Sequence, residues 1–211
     1  MVTSLESQKE SLIDYWKRES VVKNREIIKA FREVKREDFV LPEYKKMSYL
    51  DSALPLIKNQ TISQPTTVAI MTQILKPKKG QKILEIGSGS GYQAAILSRI
   101  VGSKGRVHTI EIVPELYEYS KEKLSKFRNV KVHLGDGSKG LEKYAPFDRI
   151  IVTAGASDVP RELVKQLKVN GLLVIPLGVM EQKMITLKKT SKGIKEEDHG
   201  YFMFVPLIRK K

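Results

Sequence analysis

Three glycines at alternate positions follow a short apolar stretch and form the strongest candidate for a ligand-binding turn. Gly87, Gly89 and Gly91 come directly after the strand-like segment 82–86, and a helix-like segment begins at Tyr92. Glycine lets the backbone turn tightly and approach a ligand without a Cβ clash. A ligand held there would lie near the helix N-terminus, whose first N–H groups have no partner within the helix.

The spacing of these glycines, together with the acid before them, indicates which ligand the turn holds. Dinucleotide-binding folds use Gly-x-Gly-x-x-Gly, whereas this chain has Gly-x-Gly-x-Gly. Glu85 stands two residues before the first glycine, and the resulting E-x-G-x-G pattern resembles the class I methyltransferases. That resemblance implies S-adenosyl-L-methionine as the cofactor and S-adenosyl-L-homocysteine as the product, with Ser88 and Ser90 in the same binding turn.

Two further acids follow at the ends of the next two strand-like segments. Glu111 lies about 20 residues beyond the glycine turn, where an acidic side chain can accept hydrogen bonds from both ribose hydroxyls. A surface glutamate at a strand end is the alternative, and the spacing favours the ribose role. Asp136 and Gly137 follow the third strand, whose end faces the adenine in the methyltransferase fold. Asp-Gly is also an ordinary turn dipeptide, so Asp136 has a purely structural alternative.

Short apolar strands alternate with helical segments through the middle of the chain. Such alternation predicts an α/β fold, doubly wound, with a mostly parallel, seven-stranded, Rossmann-like methyltransferase sheet covered on both faces. Apolar residues at helical spacing predict N-terminal helices before the sheet, and a C-terminal antiparallel hairpin, joined by the polar stretch 190–200, should close it. The predicted strands are 82–86, 106–111, 130–134, 149–152, 172–176, 184–188 and 201–207, and the predicted core helices are 66–75, 92–100, 114–127 and 160–167.

The length of 211 residues fits one α/β domain with small additions. We expect a single methyltransferase domain over residues 1–211, with an N-terminal helical and irregular extension (1–60), a cofactor-binding core (61–180) and a C-terminal strand pair (181–211). The N-terminus lacks the apolar core of a signal peptide, and no stretch approaches the roughly 18 apolar residues of a transmembrane helix. We therefore expect a soluble, cytoplasmic protein without a membrane partner.

The composition excludes several kinds of chemistry. The chain has no cysteine, which excludes disulfides, thiolate metal sites and cysteine nucleophiles. Its three histidines are far apart in sequence, so no metal site is expected. The formal net charge of +14 is compatible with nucleic-acid binding. The lysines are scattered, however, and a lysine-rich thermostable surface is the preferred interpretation, so a nucleic-acid partner is not expected.

The segment after the fourth strand limits which chemical groups could be the methyl acceptor. Methyltransferases that modify amino groups commonly carry Asn/Asp-Pro-Pro-aromatic here, whereas this chain has Thr-Ala-Gly-Ala at 153–156. Methylation of RNA cytosine at C5 requires a cysteine nucleophile, which is missing. The site is therefore expected to take an acceptor that is already nucleophilic, such as a carboxylate or a hydroxyl.

Five segments, in their order and spacing, together resemble one family, the protein-L-isoaspartate O-methyltransferases. Two of them, Gln-Thr-Ile-Ser-Gln-Pro at 60–65 and Phe-Val-Pro-Leu at 204–207, are specific to that family and decide the resemblance. The other three are Leu-Glu-Ile-Gly-Ser-Gly-Ser-Gly-Tyr-Gln-Ala-Ala at 84–95, Gly-Asp-Gly-Ser at 135–138 and Ala-Pro-Phe-Asp-Arg-Ile-Ile-Val-Thr-Ala-Gly-Ala at 145–156.

The resemblance implies a role for each of the two specific segments. Ser63 would be the catalytic hydroxyl beside the substrate carboxylate, although a serine before Pro65 could instead cap a helix. The residues before Ser63 would cover the reactive end of the cofactor, and the C-terminal segment would hold the substrate backbone. The implied cofactor residues of this segment are Gln60, Thr61 and Ile62, and the implied substrate-binding residues are Ser63, Val205, Pro206 and Leu207.

The implied reaction is protein repair. The acceptor would be the free α-carboxylate of L-isoaspartyl residues, with D-aspartyl residues as a further substrate, in damaged proteins and peptides. The methyl ester would then return to aspartate through a succinimide. The rival interpretations are an RNA or small-molecule methyltransferase with the same cofactor, and a non-catalytic nucleic-acid-binding module.

Three departures from the family pattern occur, and the first and third concern details of the cofactor and substrate contacts. Ile57-Lys58-Asn59 replaces a glycine-containing segment, Asn170-Gly171 replaces Gly-Gly, and Ile208 stands where threonine is common. The sequence leaves open the oligomeric state, the role of the N-terminal helices and any preference for residues that flank the acceptor.

Overall fold

The structure is a computed structural model that describes residues 4–210. Residues 1–3 and 211, which the predicted single domain and its two terminal parts include, lie outside the described residues. No helix in the described part of the chain is long and apolar enough to cross a membrane. The helices are α1 (Leu5–Arg18), α2 (Arg25–Glu33), α3 (Pro65–Leu75), α4 (Tyr92–Val101), α5 (Pro114–Lys123) and α6 (Arg161–Gln166).

Seven strands form one sheet, which confirms the predicted fold class. Its order is β5-β4-β3-β6-β7-β8-β9, parallel from β5 to β7 and antiparallel from β7 to β9. Two further strands form a separate small ribbon. The strands are β1 (Leu54–Pro55), β2 (Thr61–Ile62), β3 (Lys82–Ile86), β4 (Arg106–Glu111), β5 (Val130–Leu134), β6 (Phe147–Val152), β7 (Leu167–Leu177), β8 (Gln182–Thr190) and β9 (Gly193–Phe202).

The sheet separates two apolar clusters, one on each face. The central strand β3 supplies both, because Ile83 packs in one cluster while Leu84 and Ile86 pack in the other. This two-sided burial explains why β3 has apolar residues at consecutive positions and not only at alternate ones.

The predicted N-terminal helices exist and cover one face of the sheet. Asn24 caps α2 by accepting from two backbone N–H groups. Trp16 of α1 stacks edge-on against Phe31 of α2 at 5.0 Å, and Phe31 contacts Tyr92 of α4 at 6.1 Å between ring centroids. The amphipathic spacing in the sequence therefore reflects burial against the cofactor-binding core.

The predicted hairpin is present, but its second strand was placed wrongly. Residues 193–202 form β9, whereas the sequence predicted a strand over 201–207 and a connecting stretch over 190–200. β9 is the outer edge of the sheet and is exposed along most of its length, so its charged residues give no apolar alternation. Residues 203–207 leave the sheet, and only Pro206 forms a bridge there, with Gly155.

Other boundaries differ by a few residues. The helix predicted to reach residue 127 ends at Lys123, and the chain then turns so that Phe127 packs in the core. β7 begins at Leu167 rather than at 172 because Leu167 pairs with Phe147 across an irregularity in the ladder. None of these shifts moves the carboxyl ends of β3 to β6, which lie side by side at one edge of the sheet.

Candidate active site

A cavity opens at the carboxyl ends of the parallel strands, and most of the predicted site residues line it. Two predicted residues, Gly91 and Asp136, are not part of its wall. Gly91 instead occupies the position before the first residue of α4. The predicted residues that line the cavity are Gln60, Thr61, Ile62, Ser63, Glu85, Gly87, Ser88, Gly89, Ser90, Glu111, Gly137, Val205, Pro206 and Leu207.

Two of the cavity glycines are required by close packing. Gly87 has a φ of +94°, and a Cβ there would lie 2.6 Å from Oγ1 of Thr153. Thr153 reaches this position because its hydroxyl donates to the carbonyls of Ile86 and Gly87, at 3.0 and 2.8 Å. A Cβ at Gly137 would overlap the side chain of Ile86. Both glycines therefore keep the cavity floor free of side chains.

Glu111 links the end of β4 to the glycine turn. Its Oε2 accepts a hydrogen bond from the N–H of Gly89 at 2.9 Å, and its Oε1 accepts from Ile112 and Val113 at 2.9 and 3.1 Å. These bonds fix a buried carboxylate at the cavity wall. A carboxylate has about four acceptor positions, so capacity remains for about one further hydrogen bond from a ligand.

Glu85 is a fully buried carboxylate on the cavity wall with no hydrogen-bond partner among the described residues. Burial raises the pKa of Glu85 to about 8, the nearby Thr109 hydroxyl lowers it in part, and the charge of Glu111 adds to the increase. A buried carboxyl group without partners is costly. The site is therefore suited to a ligand that brings a positive charge to Glu85.

Both carboxylate oxygens of Asp136 accept hydrogen bonds, one from its own turn and the other from the C-terminal tail. Its Oδ1 accepts from the N–H and the hydroxyl of Ser138, at 2.9 and 2.7 Å, and its Oδ2 accepts from the N–H of Lys210 at 3.0 Å. Burial alone would raise the pKa of Asp136, but these hydrogen bonds hold it below the usual value. Asp136 therefore has the structural role in a turn that was the alternative interpretation of the Asp-Gly dipeptide. Its contact with the adenine stays a prediction.

Ser63 lies between β2 and α3, half-buried and on the cavity wall. No described residue hydrogen-bonds to its hydroxyl, and Gln64, which stands at the N-cap position, makes no side-chain cap either. The alternative role of Ser63 as a helix cap is therefore wrong. Its hydroxyl is free to contact a ligand in the cavity.

The first turn of α3, next to Ser63, is anchored by residues that the sequence analysis missed. Thr66 donates its N–H and its hydroxyl to the carboxylate of Asp51, at 3.0 and 2.7 Å. The indole N–H of Trp16 donates to the Thr66 hydroxyl at 2.7 Å. One function of the N-terminal helices is thus to hold the Ser63 segment. The signal in the sequence was only a buried tryptophan at helical spacing, which does not reveal its polar partner.

The C-terminal segment forms the opposite wall through backbone contacts. Gly155 donates to the carbonyl of Val205 at 2.8 Å, and Leu207 donates to the carbonyl of Gly155 at 2.7 Å. Gln182, buried beside Gly155, accepts from the N–H of Phe204 at 2.8 Å. The sequence analysis missed Gln182, because nothing in its neighbourhood distinguishes it from an exposed strand residue.

The segment before Thr61 adopts a backbone that explains one departure from the family pattern. Lys58 and Asn59 have φ values of 58° and 55°, in the left-handed region that glycine occupies without strain. Lys58 also forms an ion pair with Glu115 at 2.6 Å. Asn170 likewise has a left-handed backbone, with a φ of 66°, where the family usually has the first glycine of Gly-Gly.

Two histidines that are distant in sequence meet in the structure, away from the cavity. Nδ1 of His108 and Nε2 of His133 lie 3.1 Å apart on neighbouring strands. Burial, with nearby positive charges, lowers the pKa of His108 to about 4. Within residues 4–210, no group of three or more potential ligands is placed to hold a metal ion.

Comparison with known proteins identifies the family. The family model for protein-L-isoaspartate(D-aspartate) O-methyltransferase matches residues 7–211. The chain belongs to this family. Among its relatives, the protein-L-isoaspartate O-methyltransferase of Pyrobaculum islandicum is 47% identical over 201 residues, covering 93% of this chain and 97% of the relative. The enzyme of the same name from Staphylothermus marinus is 43% identical over 218 residues, covering 99% and 97%.

Solved structures of family members agree with the fold. One protein-L-isoaspartate O-methyltransferase superimposes with a TM-score of 0.85 at 31% identity, and the match covers 94% of this chain and 65% of that longer one. A Plasmodium falciparum family member, solved in complex with S-adenosyl-L-homocysteine, superimposes with a TM-score of 0.83 at 25% identity, covering 95% and 98%. The Rossmann-like methyltransferase fold predicted from the sequence is confirmed.

Proposed function

We propose that this protein transfers a methyl group from S-adenosyl-L-methionine to the free α-carboxylate of L-isoaspartyl residues in damaged proteins and peptides. Family membership over nearly the whole chain carries this conclusion. The cavity supports it, because it combines a glycine turn, two buried acids and a free serine hydroxyl. The chain is therefore an S-adenosyl-L-methionine-dependent protein carboxyl methyltransferase.

The residues at the strand ends fit this cofactor. Glu111 would hold the ribose hydroxyls, while Gly87 and Gly137 let the backbone of the cavity pack closely where a Cβ would clash. Glu85 presents an unpartnered carboxylate, and the cofactor carries an ammonium group and a sulfonium group that could neutralise it. When bound, S-adenosyl-L-methionine supplies an electrophilic methyl group on a positively charged sulfur.

The acceptor needs positioning rather than activation. An α-carboxyl group has an ordinary pKa of about 3 to 4, so it is ionised at neutral pH and needs no general base. Ser63 would orient one carboxylate oxygen by donating a hydrogen bond, and residues 205–207 would hold the substrate backbone in an extended pose. Closure around the acceptor removes water from the anion and aligns it with the methyl group. The backbone nitrogen of the residue that follows then attacks the methyl ester and displaces methanol to form a succinimide, which water opens in part to normal aspartate.

The proposal also covers the range of substrates, the location and the domain organisation. D-Aspartyl residues are proposed as a further substrate, in line with the family's name, and a cytoplasmic location is proposed for a repair enzyme that meets ageing cellular proteins. The single-domain division is likewise a prediction. The RNA or small-molecule alternative, supported by the net charge of +14, is not favoured by any of the close relatives.

Transfer of radiolabelled methyl from S-adenosyl-L-methionine to two peptides that differ only in Asp or isoAsp tests the proposal. We expect label in the isoAsp peptide alone, and the label should be released by mild base because it is an ester. If neither peptide is labelled while the protein still binds the cofactor, the repair function is refuted. Labelling of RNA in the same assay would then favour the alternative.

A further inference from the structure

The most exposed apolar side chains of the described residues lie beside the mouth of the cavity. Val179, Met180 and Met203 are 85%, 86% and 83% exposed, and Tyr201 is 65% exposed. Every other large hydrophobic side chain in residues 4–210 is at most 54% exposed. Single exposed apolar residues are normal, but four in one place indicate an interaction surface. We call these four residues the apolar rim.

Two segments that are distant in sequence meet to form the apolar rim. The turn between β7 and β8 carries the residues at 179–180, while Tyr201 lies at the end of β9 and Met203 directly after it. The antiparallel pairing of β8 with β9 places this turn beside the end of β9. Phe202 and Phe204 pack inward against the core, so the alternate residues Tyr201 and Met203 face outward.

One buried side chain connects the apolar rim to the cavity wall. Gln182, only 2% exposed, donates to the carbonyls of Val179 and Met180 at 3.4 and 3.2 Å. The same side chain accepts from the N–H of Phe204 at 2.8 Å. The next residues, 205–207, line the cavity. The rim therefore continues the wall that is proposed to hold the substrate backbone.

We propose that the apolar rim is a second contact site for the polypeptide substrate, where it binds apolar side chains that flank the isoaspartyl residue. Met203 stands two residues before Val205, a span of at most about 7 Å in an extended chain. The flanking side chains in reach are thus those about two to four residues from the isoaspartyl residue. This inference rests on the proposed function, because only a polypeptide acceptor extends beyond the cavity.

The chemistry of the rim suits such an occupant. A chain segment that enters the cavity must be locally unfolded, so it exposes apolar side chains that a folded protein buries. Methionine is unbranched and its thioether is polarisable, which lets it pack against side chains of different shape. A repair enzyme must accept many sequences, and adaptable methionine surfaces are typical of binders with varied partners.

The test compares two isoAsp peptides of equal length with two variants of the full chain. One peptide carries leucine and phenylalanine at the second to fourth positions on both sides of the isoAsp, and the other carries serine and glycine there. The rim variant is M180S/M203S, and the matched control is M47S, which removes a methionine 43% exposed elsewhere on the surface. We expect the rim variant to raise KM for the apolar peptide by about tenfold. Its kcat, and its KM for the polar peptide, should stay at the wild-type and control values.

Either of two kinetic outcomes overturns the inference. An unchanged KM for the apolar peptide shows that the rim does not bind substrate, and an equal rise for both peptides shows a general effect on the active site. Sedimentation of the wild type and the rim variant tests the competing occupant, a second copy of the chain. A dimer that only the wild type forms would also overturn the inference. If the wild type labels neither peptide, the proposed function itself fails, which is distinct from every other outcome.

Discussion

The proposed cofactor side and the proposed acceptor side of the cavity are built in different ways. On the cofactor side, Glu111 makes three hydrogen bonds to backbone N–H groups, and Gly137 is packed against Ile86 without space for a Cβ. On the acceptor side, the Ser63 hydroxyl has no partner among the described residues, and the tail at 205–207 is held by two backbone hydrogen bonds to Gly155.

This difference matches what each side must do. A cofactor of constant shape is bound best by groups that are fixed before it arrives, since a preorganised site loses less entropy on binding. The acceptor is a group that occurs in many different protein chains. Its site therefore needs one fixed contact, surrounded by a surface that can adapt to different side chains. The cofactor side should therefore be sensitive to single substitutions, and loss of the fixed contact at Ser63 on the acceptor side should change mainly turnover.

The largest expected effect is on the cofactor side, from Glu111→Ala. The variant loses the proposed ribose contact, the bond from Gly89 that ties β4 to the glycine turn, and two bonds from the next residues, Ile112 and Val113. Hydrogen bonds to a charged group contribute about 1.5 to 3 kcal/mol each, so affinity for S-adenosyl-L-homocysteine should fall by about 100-fold or more. Calorimetric titration measures this, with the exposed Glu118→Ala as the matched control. Wild-type affinity in the Glu111 variant would show that the carboxylate is not a cofactor ligand.

On the acceptor side, Ser63→Ala should lower kcat for an isoAsp peptide by about 10- to 100-fold, the effect of losing one hydrogen bond to a carboxylate. Affinity for S-adenosyl-L-homocysteine should stay within about twofold of the wild type, because no contact that fixes the cofactor side involves Ser63. Steady-state methyl transfer and calorimetry measure the two quantities, and the surface variant Ser103→Ala is the control. Loss of cofactor affinity with normal turnover would reverse the division between the two sides.

The pH dependence of stability tests the unpartnered acid, Glu85. Its pKa is raised to about 8 in the folded protein, from an ordinary value of 4.5. Between these values the unfolded chain releases the proton while the folded protein keeps it. The contribution of Glu85 to stability is therefore fully present below pH 4.5 and is lost as the pH rises towards 8.

Thermal unfolding of the cofactor-free protein and of Glu85→Gln, from pH 4 to 9, measures this loss. The glutamine keeps the size of the side chain but does not ionise, so the Tm of the wild type should fall relative to the variant as the pH rises. Contributions from other titrating groups cancel in this difference. Parallel Tm profiles would show that Glu85 is not a desolvated carboxylate.

The smallest effect is expected at Lys58, whose backbone has a left-handed conformation and which precedes the cavity-lining residues 60–63. Lys58→Gly removes backbone strain of about 1 to 2 kcal/mol and loses an exposed ion pair with Glu115, which contributes about 0 to 1 kcal/mol. Greater freedom of glycine in the unfolded chain offsets part of the gain, so the free energy of unfolding should change by less than about 1 kcal/mol. Denaturant titration checks this value.

A matched variant makes the Lys58 prediction sharper. Lys58→Val loses the same ion pair but adds a β-branched side chain in a left-handed backbone, so it should be clearly less stable than Lys58→Gly. Equal stabilities would mean that the segment does not adopt this backbone in solution.

The sequence predicted the cofactor side better than the acceptor side, for physical reasons. β3, β4 and β5 were predicted to the residue, because each ends at, or directly before, a glycine or an acid that marks its boundary. Glu85, Gly87 and Glu111 also lie within these strands or directly after them. The placement of Asp136 could not be foreseen, since one of its oxygens accepts from Lys210, 74 residues away.

The acceptor side depends on contacts between distant segments. Ser63 and residues 205–207 meet only through the fold, and no local pattern predicts that meeting, so the family resemblance was needed to join them. β9 was misplaced because an exposed, charged edge strand lacks the apolar alternation on which strand prediction relies.

The most direct test of this account is a crystal structure of the protein with S-adenosyl-L-homocysteine and an isoAsp peptide. The account predicts the ribose hydroxyls within hydrogen-bond distance of Glu111, a cationic group of the ligand beside Glu85, and the α-carboxylate of the isoAsp on the Ser63 hydroxyl, facing the sulfur. A carboxylate held away from Ser63, or a cofactor that does not contact Glu111, would contradict it.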